Sequence, residues 1–421
     1  MGEYRVLTNE VLREALLTSK SSRGALSRFA RDRAFVHHLT GQHAVVAANL
    51  ALTLAKAHRR RLRRGGSARI PYVRRRFVRT DPKTFHFDPD SGKIRLSLRN
   101  GEWCSWSVRV ARYHRTVLAA PGVRIKQLHV NEERVVLYLE REAPDPYSPT
   151  SLLALDTNES SLDGVFVGAG RARWVRAFFP EVRTIQARHF ARRRFLARKK
   201  AHDRRVARLL LSNEGRRERH RIRSRLDVLS KRLVESAARR QAAIALEDLS
   251  KLPLTKRRAS SRFRRRLSSW PRSELHRQIE YKAAERGVPV YWVNPFRTSI
   301  SCPRCGEITR PRSRVGTMFD CAHCGWSKDR QLNAGANVAR TVLRETAELG
   351  GLRLDPDALS NDAVRPLFPR EKSSGNGRSG RRGRDRLEGG TPSVRLSISP
   401  KAPTGNAESR GRGAVAISVR R

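Results

Sequence analysis

Four cysteines, Cys302, Cys305, Cys321 and Cys324, form two C-x-x-C knuckles with fifteen residues between them. Paired knuckles of this kind supply four thiolates to one tetrahedral Zn²⁺, which fixes a small ribbon whatever the surrounding fold. Pro303, Gly306 and Gly325 suit the tight turns each knuckle needs. A helix-compatible run follows, opening on Asp329 and spaced by Asn333 and Asn337. A structural metal set just before an acidic, polar helix points to a clamp beside a catalytic site.

Charge identifies the partner class. The 421 residues carry 89 Lys and Arg against 39 Asp and Glu, a formal net charge of +50. Self-repulsion of that size opposes compaction unless a polyanion is present, so a nucleic-acid partner is expected. A membrane partner is not. The most apolar stretch, Ala44 to Ala55, is too short and is interrupted by Asn49 and Thr53. The amino terminus lacks a signal-peptide core. Five cysteines, four of them in the zinc pattern and Cys104 apart, fit a reducing compartment, so a cytoplasmic, nucleoid-associated protein is expected.

Three regions follow from the patterning. Residues 1–150 read as an amino-terminal nucleic-acid-binding region: helical over 9–64, then short antiparallel strands forming a small barrel. Ile94, Leu96 and Leu98 alternate, as do Val108 and Val110, Val123 and Ile125, and Val135, Leu137 and Leu139. Asn100-Gly101 and Asn131-Glu132-Glu133 supply turns. Residues 151–350 hold an apolar strand ending on Asp156, a basic helical hairpin over 182–240 and a second strand ending on Glu247. A helix from Trp270-Pro271 to Gly287, a third strand and a zinc ribbon over 298–327 complete the region. In the hairpin, Gly215 is expected to separate two helical halves. Arg192, Arg193, Arg194, Lys199, Lys200, Arg204 and Arg205 are expected to line a nucleic-acid groove. Residues 351–421 lose periodicity and read as a disordered basic tail with SGNGRSGRRGRDR at its core.

Asp156 and Glu247 end apolar strands, and Asp329 opens a helix after the knuckles. Any one of these is ordinarily a capping or turn residue. In this order, carboxylates at strand ends converge on one edge of a sheet. There they can hold two Mg²⁺ ions about 4 Å apart, the arrangement that cleaves phosphodiesters.

The segments LALDTNESSLDGV, IALEDLSKL, SSWPRSELHRQIEYKAAERGVPV, NPFRTSISCPRCG and CAHCGWSKDRQLNAGANVA resemble the OrfB/TnpB family of insertion-sequence proteins, relatives of the type V CRISPR effectors. The likeness is dense over 151–345 and looser over 70–140, which includes SLRNGEW. It implies an α/β, RuvC/RNase H-like nuclease domain with a helical insertion and zinc ribbon. It also implies a guide RNA, a double-stranded DNA target and catalytic Mg²⁺. Asp156 and Glu247 match the family's first two catalytic carboxylates. The third departs: where the family has Asp-Arg-Asp, this chain has Asp329-Arg330-Gln331. A neutral amide leaves the ion's charge uncompensated. Either Asp329, at the freer helix start, is the third ligand, or the nuclease is impaired and binds guided targets without cutting. An unguided zinc-ribbon nucleic-acid-binding protein is the remaining reading. Gly335, one turn on, is expected to leave space beside the site. No tyrosine or serine recombinase constellation accompanies the transposase character the family implies. Asp163, Asp248 and Glu159 read as ordinary polar residues, Asn158 as a turn, Trp103 and Trp106 as barrel packing, and Cys104 as a small buried side chain.

Overall fold

The computed structural model describes residues 1–18, 23–66, 68–99, 101–200, 202–250, 260, 264–265, 268–309, 317–368 and 412–420. Two units emerge, one of Met1–Glu142 with the carboxy-terminal strand, the other of Ala143–Arg378.

In the first unit, Tyr4, Leu7, Val11, Leu12 and Ala15 recur at three- and four-residue spacing, so one face of α1 (Gly2–Leu17) is buried. Helices α2 (Arg23–Val36) and α3 (Gly41–Arg63) pack with it. Thr40 caps α3, its Oγ1 accepting from the His43 N–H at 3.3 Å. Strands β1 (Phe77–Thr80), β2 (Phe85–Phe87), β3 (Lys93–Ser97) and β4 (Trp103–Ser107) come next, then α4 (Arg112–Leu118), β5 (Arg124–Asn131) and β6 (Arg134–Glu142). They form two antiparallel sheets, β2-β3-β4 and β1-β5-β6. The expected alternation holds in two places: Ile94 and Leu96 are buried on β3, and Val135, Leu137 and Leu139 on β6. Val108 and Val110 are also buried, but lie beyond β4. Gly101 turns with a φ of 77°, while Asn100 lies outside the described residues. Trp103 is 39% exposed, stacks on His86 and carries the Arg95 guanidinium, so it is not packed inside. Cys104 is half-buried.

The second unit contains β7 (Ser151–Thr157), β8 (Ser161–Gly168), β9 (Arg171–Phe178), α5 (Glu181–Lys199), α6 (Leu211–Arg239), β10 (Ala242–Glu247), α7 (Arg272–Ala284) and β11 (Val290–Val293). The ribbon strands β12 (Met318–Asp320) and β13 (Ser327–Asp329) follow, then α8 (Arg330–Glu345), α9 (Pro356–Leu359) and β14 (Arg365–Pro366). One sheet runs β11-β10-β7-β8-β9-β14. β7, β10 and β11 run parallel to one another, whereas β7-β8-β9 is an antiparallel meander. Both faces of β7 and β10 are covered, which is why these strands read as continuous apolar runs. Leu153, Leu155, Ile244 and Leu246 pack towards α6 and α7; Leu152, Ala154, Ala243 and Ala245 pack towards α8 and the ribbon.

Four expectations are corrected. Gly215 lies inside α6; its intrinsic helix cost of about 1 kcal/mol is outweighed by the buried Ile222, Leu226, Leu229 and Leu233 stripe. The chain instead reverses just after α5, where the His202 and Asp203 N–H groups donate to the Lys199 carbonyl, and a π-helical turn, Val206–Leu210, leads directly into α6. Gly335 leaves no space: a Cβ there would fall 2.3 Å from Gly164 Cα and 2.7 Å from the Asp163 carbonyl oxygen. It is the point where α8 crosses the backbone of β8. The tail does not begin at 351. Leu359 and Leu367 are buried, Trp174 Nε1 donates to the Leu359 carbonyl at 2.8 Å, and β14 pairs with β9. Near the end of the chain, the strand Arg412–Arg420 pairs antiparallel with β6. Val415, Ile417 and Val419 give it a period-two apolar pattern, and β6 otherwise has an unpaired edge that can accept a strand. The SGNGRSGRRGRDR segment lies outside the described residues.

Candidate carboxylate site and metal centre

Strand register sets the site. Leu246 pairs with Leu155, so Glu247 and Asp156 follow side by side at the ends of parallel β10 and β7. Asp156 pairs with Asp163 across β7-β8, and Asp163 with Arg176 across β8-β9. Glu247, Asp156, Asp163 and Arg176 therefore form one row across four strands. By alternation, the row faces α8 and the ribbon.

Asp156 and Glu247 are a coupled acid pair. Burial first, then the charge of Glu247, pushes the Asp156 carboxyl well above its ordinary range. The hydrogen bond from Asn158 Nδ2 to Asp156 Oδ2, 3.0 Å, works the other way. Glu247 is also raised by burial, against hydrogen bonds from Thr298 and Asp156. Thr298 Oγ1 donates to Glu247 Oε1 at 2.5 Å. Two buried carboxyls sharing one space suit a divalent cation, which would remove both the repulsion and the desolvation cost of the charges.

Asp163, expected to be an ordinary polar residue, is fully buried. It accepts from Asn158 Nδ2 at 3.0 Å and Ser161 Oγ at 2.5 Å, and pairs with Arg176. Asn158 is thus a bridge between Asp156 and Asp163 rather than only a turn. A carboxylate inside an apolar strand, as in Leu162-Asp163-Gly164-Val165, was the signal available for it, with Arg176 as its counterpart in β9.

Asp329 does open a helix, as N-cap of α8: its Oδ1 accepts from Gln331 N–H at 2.9 Å and Leu332 N–H at 3.4 Å. Its Oδ2 lies 3.2 Å from Arg176 Nη2. The structure brings Asp156 and Glu247 together but does not bring Asp329 within one ion's reach of both. Among the described residues, the cysteine quartet is the one group of three or more His, Cys, Asp or Glu side chains close enough to share an ion. Gln331 is exposed.

The quartet's ligand atoms all lie within 4.8 Å of one another. Cys302 and Cys324 Sγ are 3.5 Å apart, Cys305 and Cys321 Sγ 3.6 Å. Tetrahedral Zn²⁺ with Zn–S bonds of about 2.3 Å sets a ligand edge of about 3.8 Å, so the donor set fits. Each knuckle is the same device. The Gly306 N–H donates to the Cys302 carbonyl and the Gly325 N–H to the Cys321 carbonyl, both glycines at positive φ. Burial opposes the Cys321 thiolate, but N–H groups of Cys324 and His323 and the Cys305 thiol outweigh it and bring that thiol down to about 6.

Helix α8 ties the ribbon to the acid pair. Asn333 Nδ2 donates to the Ser301 carbonyl, Asn337 Nδ2 to the carbonyls of Thr298 and Ser301, and Arg340 Nη1 to that of Cys302. Thr298 in turn donates to Glu247. The two asparagines singled out by their spacing therefore clamp the metal loop.

On the hairpin, Arg192 pairs with Glu214 and Arg193 with Glu218, pinning α5 to α6. Arg205 pairs with Asp203. Arg194, Lys199, Lys200 and Arg204 are exposed. Among the described residues, no helix is long and apolar enough to cross a membrane.

A family model described as the Cas12f1-like TNB domain matches residues 273–338, which include the ribbon and most of α7. The chain is 25% identical over 274 residues to the TnpB-like protein MJ0751 of Methanocaldococcus jannaschii, covering 64% of this chain and 95% of that protein. It is 36% identical over 97 residues to the CRISPR-associated endodeoxyribonuclease Cas12f1 of Sulfoacidibacillus thermotolerans, covering 23% of this chain and 21% of the relative. A cryo-EM structure of a Cas12f1–sgRNA–target DNA complex aligns with a TM-score of 0.55 at 14% identity, over 80% of this chain and 81% of that one. That likeness concerns the fold alone, an α/β arrangement around the six-stranded sheet described above. The chain is therefore similar to a TnpB-like protein over most of that protein's length, and to a Cas12f1-like domain over residues 273–338.

Proposed function

We propose that the chain is an RNA-guided, Mg²⁺-dependent DNA endonuclease of RuvC type, associated with a transposable element. The observation that carries this reading is the Asp156–Glu247 pair, two buried, mutually repelling carboxyls at adjacent strand ends. Asp156 and Glu247 would hold Mg²⁺. When bound, it supplies an activated water and neutralises charge on the leaving oxygen. Asn158 orients Asp156, and Thr298 orients Glu247. Zn²⁺ on Cys302, Cys305, Cys321 and Cys324 is structural. The exposed Arg194, Lys199, Lys200 and Arg204 meet phosphates, and the two-sheet amino-terminal unit serves as the barrel-like nucleic-acid-binding region. Pairing with a guide RNA selects the double-stranded target, while protein reads backbone and a short flanking motif. Such a chain acts on the nucleoid, in the cytoplasm. The relatives support this: one is named an endodeoxyribonuclease, and another was solved with sgRNA and target DNA.

The test is purification of the chain expressed with its flanking DNA, sequencing of the bound RNA, and incubation with matched and unmatched DNA in Mg²⁺ or EDTA. Cutting of matched DNA in Mg²⁺ alone is expected. A chain that carries no RNA and binds all DNA equally would favour the unguided zinc-ribbon reading. A second guided reading, a binder that does not cut, is favoured by one observation: Gln331 replaces a carboxylate while Asp329 is engaged by Arg176. Matched DNA bound but left whole would select it.

A further inference from the structure

The same sheet edge carries a cavity of about 330 Å³ that the proposed chemistry does not use. Strand alternation places it. Asp156 and Glu247 face α8, so their neighbours Thr157 and Asp248 point to the α7 side. Thr157 Oγ1 lies 3.2 Å from His276 Nε2, and the His276 ring lies against Trp292 with centroids 5.0 Å apart. The cavity therefore adjoins both acid-bearing strands, just over the rim of the sheet. Trp292, 38% exposed on edge strand β11, forms one wall.

The lining indicates what fits. Arg272 and Arg277 are balanced by Asp248 and Glu280. Arg277 is already held by Glu274, and Arg272 Nε donates to the Leu249 carbonyl. His276 is held down to about 4 by burial, so it is a neutral ring at neutral pH. A wall with offset charges does not select a phosphate. It suits a flat, neutral heterocycle with donors and acceptors on its edge, stacked on an aromatic face. The volume is at the small end of ligand sites, of about 300–1,000 Å³, and admits one base rather than a duplex.

We propose that this cavity is a subsite for a single unpaired base of the DNA strand presented to Asp156 and Glu247, stacked on Trp292. The inference rests on the nuclease reading, and the experiment separates the two. The first probe is a short single strand of thymidines carrying one 2-aminopurine, added to the full chain in EDTA. Quenching of the aminopurine is expected with wild type. Trp292→Ala should lose it and bind about tenfold more weakly, the scale of one base–aromatic stack. Trp292→Phe, which keeps a stacking face on the strand, should retain most of both. Equal quenching in wild type and Trp292→Ala would overturn the proposal, as would quenching by the RNA version of the strand alone. The second arm moves one abasic nucleotide along a cleavable strand in Mg²⁺. Wild type should slow at one fixed distance from the cut, and Trp292→Ala should be indifferent to the abasic position. Trp292-dependent quenching by a chain that never cuts would keep the subsite and sink the nuclease reading. Cutting indifferent both to Trp292 and to the abasic position would do the reverse.

Discussion

Arg176 holds Asp329: guanidinium Nη2 sits 3.2 Å from Asp329 Oδ2, and the same side chain pairs with the buried Asp163. The other Asp329 oxygen caps α8. Both oxygens are engaged, so on the proposed nuclease reading a third carboxylate is expected to be restored by placing one at position 331. Gln331→Asp should raise guided cleavage at limiting Mg²⁺ about tenfold or more. As an acid in the first helical turn it should not destabilise α8. Asp329→Ala should cost about 1 kcal/mol through the lost cap, whereas Asp329→Asn, which keeps a cap, should cut like wild type. Cutting abolished by Asp329→Asn in a folded chain would show instead that Asp329 is the ligand.

Much of this site was legible because it rests on short-range chemistry. The knuckles carry their own turn glycines, and Asp156 and Glu247 each end a strand whose apolar run is unbroken. Asp163 and Arg176 were not legible as a pair, because their meeting depends on the β8-β9 register, and glycines at 164, 168 and 170 disguise those strands as loop. Thr298 was missed for a similar reason: its bond to Glu247 joins residues fifty-one apart. Gly215 misled in the opposite direction, since local propensity is weak beside a buried leucine stripe.

Zinc removal should propagate into α8. Arg340 and the two asparagines hold carbonyls of the loop that begins the first knuckle. One Zn²⁺ per chain is expected by elemental analysis. Cys305→Ser should lose it and speed hydrogen exchange over 330–345. Unchanged exchange in zinc-free protein would refute the coupling.

Gly335→Ala decides between propensity and packing. In an isolated helix, alanine would stabilise by about 0.5–1 kcal/mol. Here its Cβ would fall 2.3 Å from the Gly164 Cα, a backbone atom that no rotamer change can move. Overpacking at about 1–3 kcal/mol or more wins, so denaturant melts should show net destabilisation. A stabilised variant would mean that α8 can lift from β8 freely.

Salt dependence should separate two kinds of arginine. Replacing Arg194, Lys199, Lys200 and Arg204 by Gln should flatten the slope of log K against log salt by up to about 3–4, near 0.9 per lost phosphate contact. Arg192→Gln and Arg193→Gln should instead loosen α5 from α6, because their partners are Glu214 and Glu218. An unchanged slope in the quadruple variant would place that face away from nucleic acid.

The acid pair makes metal binding visible without any substrate. Burial, and for Asp156 also the charge of Glu247, raises both carboxyls above their ordinary range. A raised carboxyl binds more protons folded than unfolded. Its contribution to stability is present below about pH 4, where the unfolded groups are protonated, and is lost as pH climbs through the raised values. Metal-free protein is therefore strained at neutral pH, and Mg²⁺ relieves that strain. At ten times its Kd, Mg²⁺ should add about 1.4 kcal/mol, or about 3–6 °C in Tm for a unit of this size. The shift should be larger at pH 7.5 than at more acidic pH, where protons increasingly neutralise the pair. Asp156→Asn should melt higher than wild type in EDTA at pH 7.5 and should ignore Mg²⁺. Thermal melts at pH 7.5 and at more acidic pH check this, and an equal Mg²⁺ shift in wild type and Asp156→Asn would place the ion elsewhere.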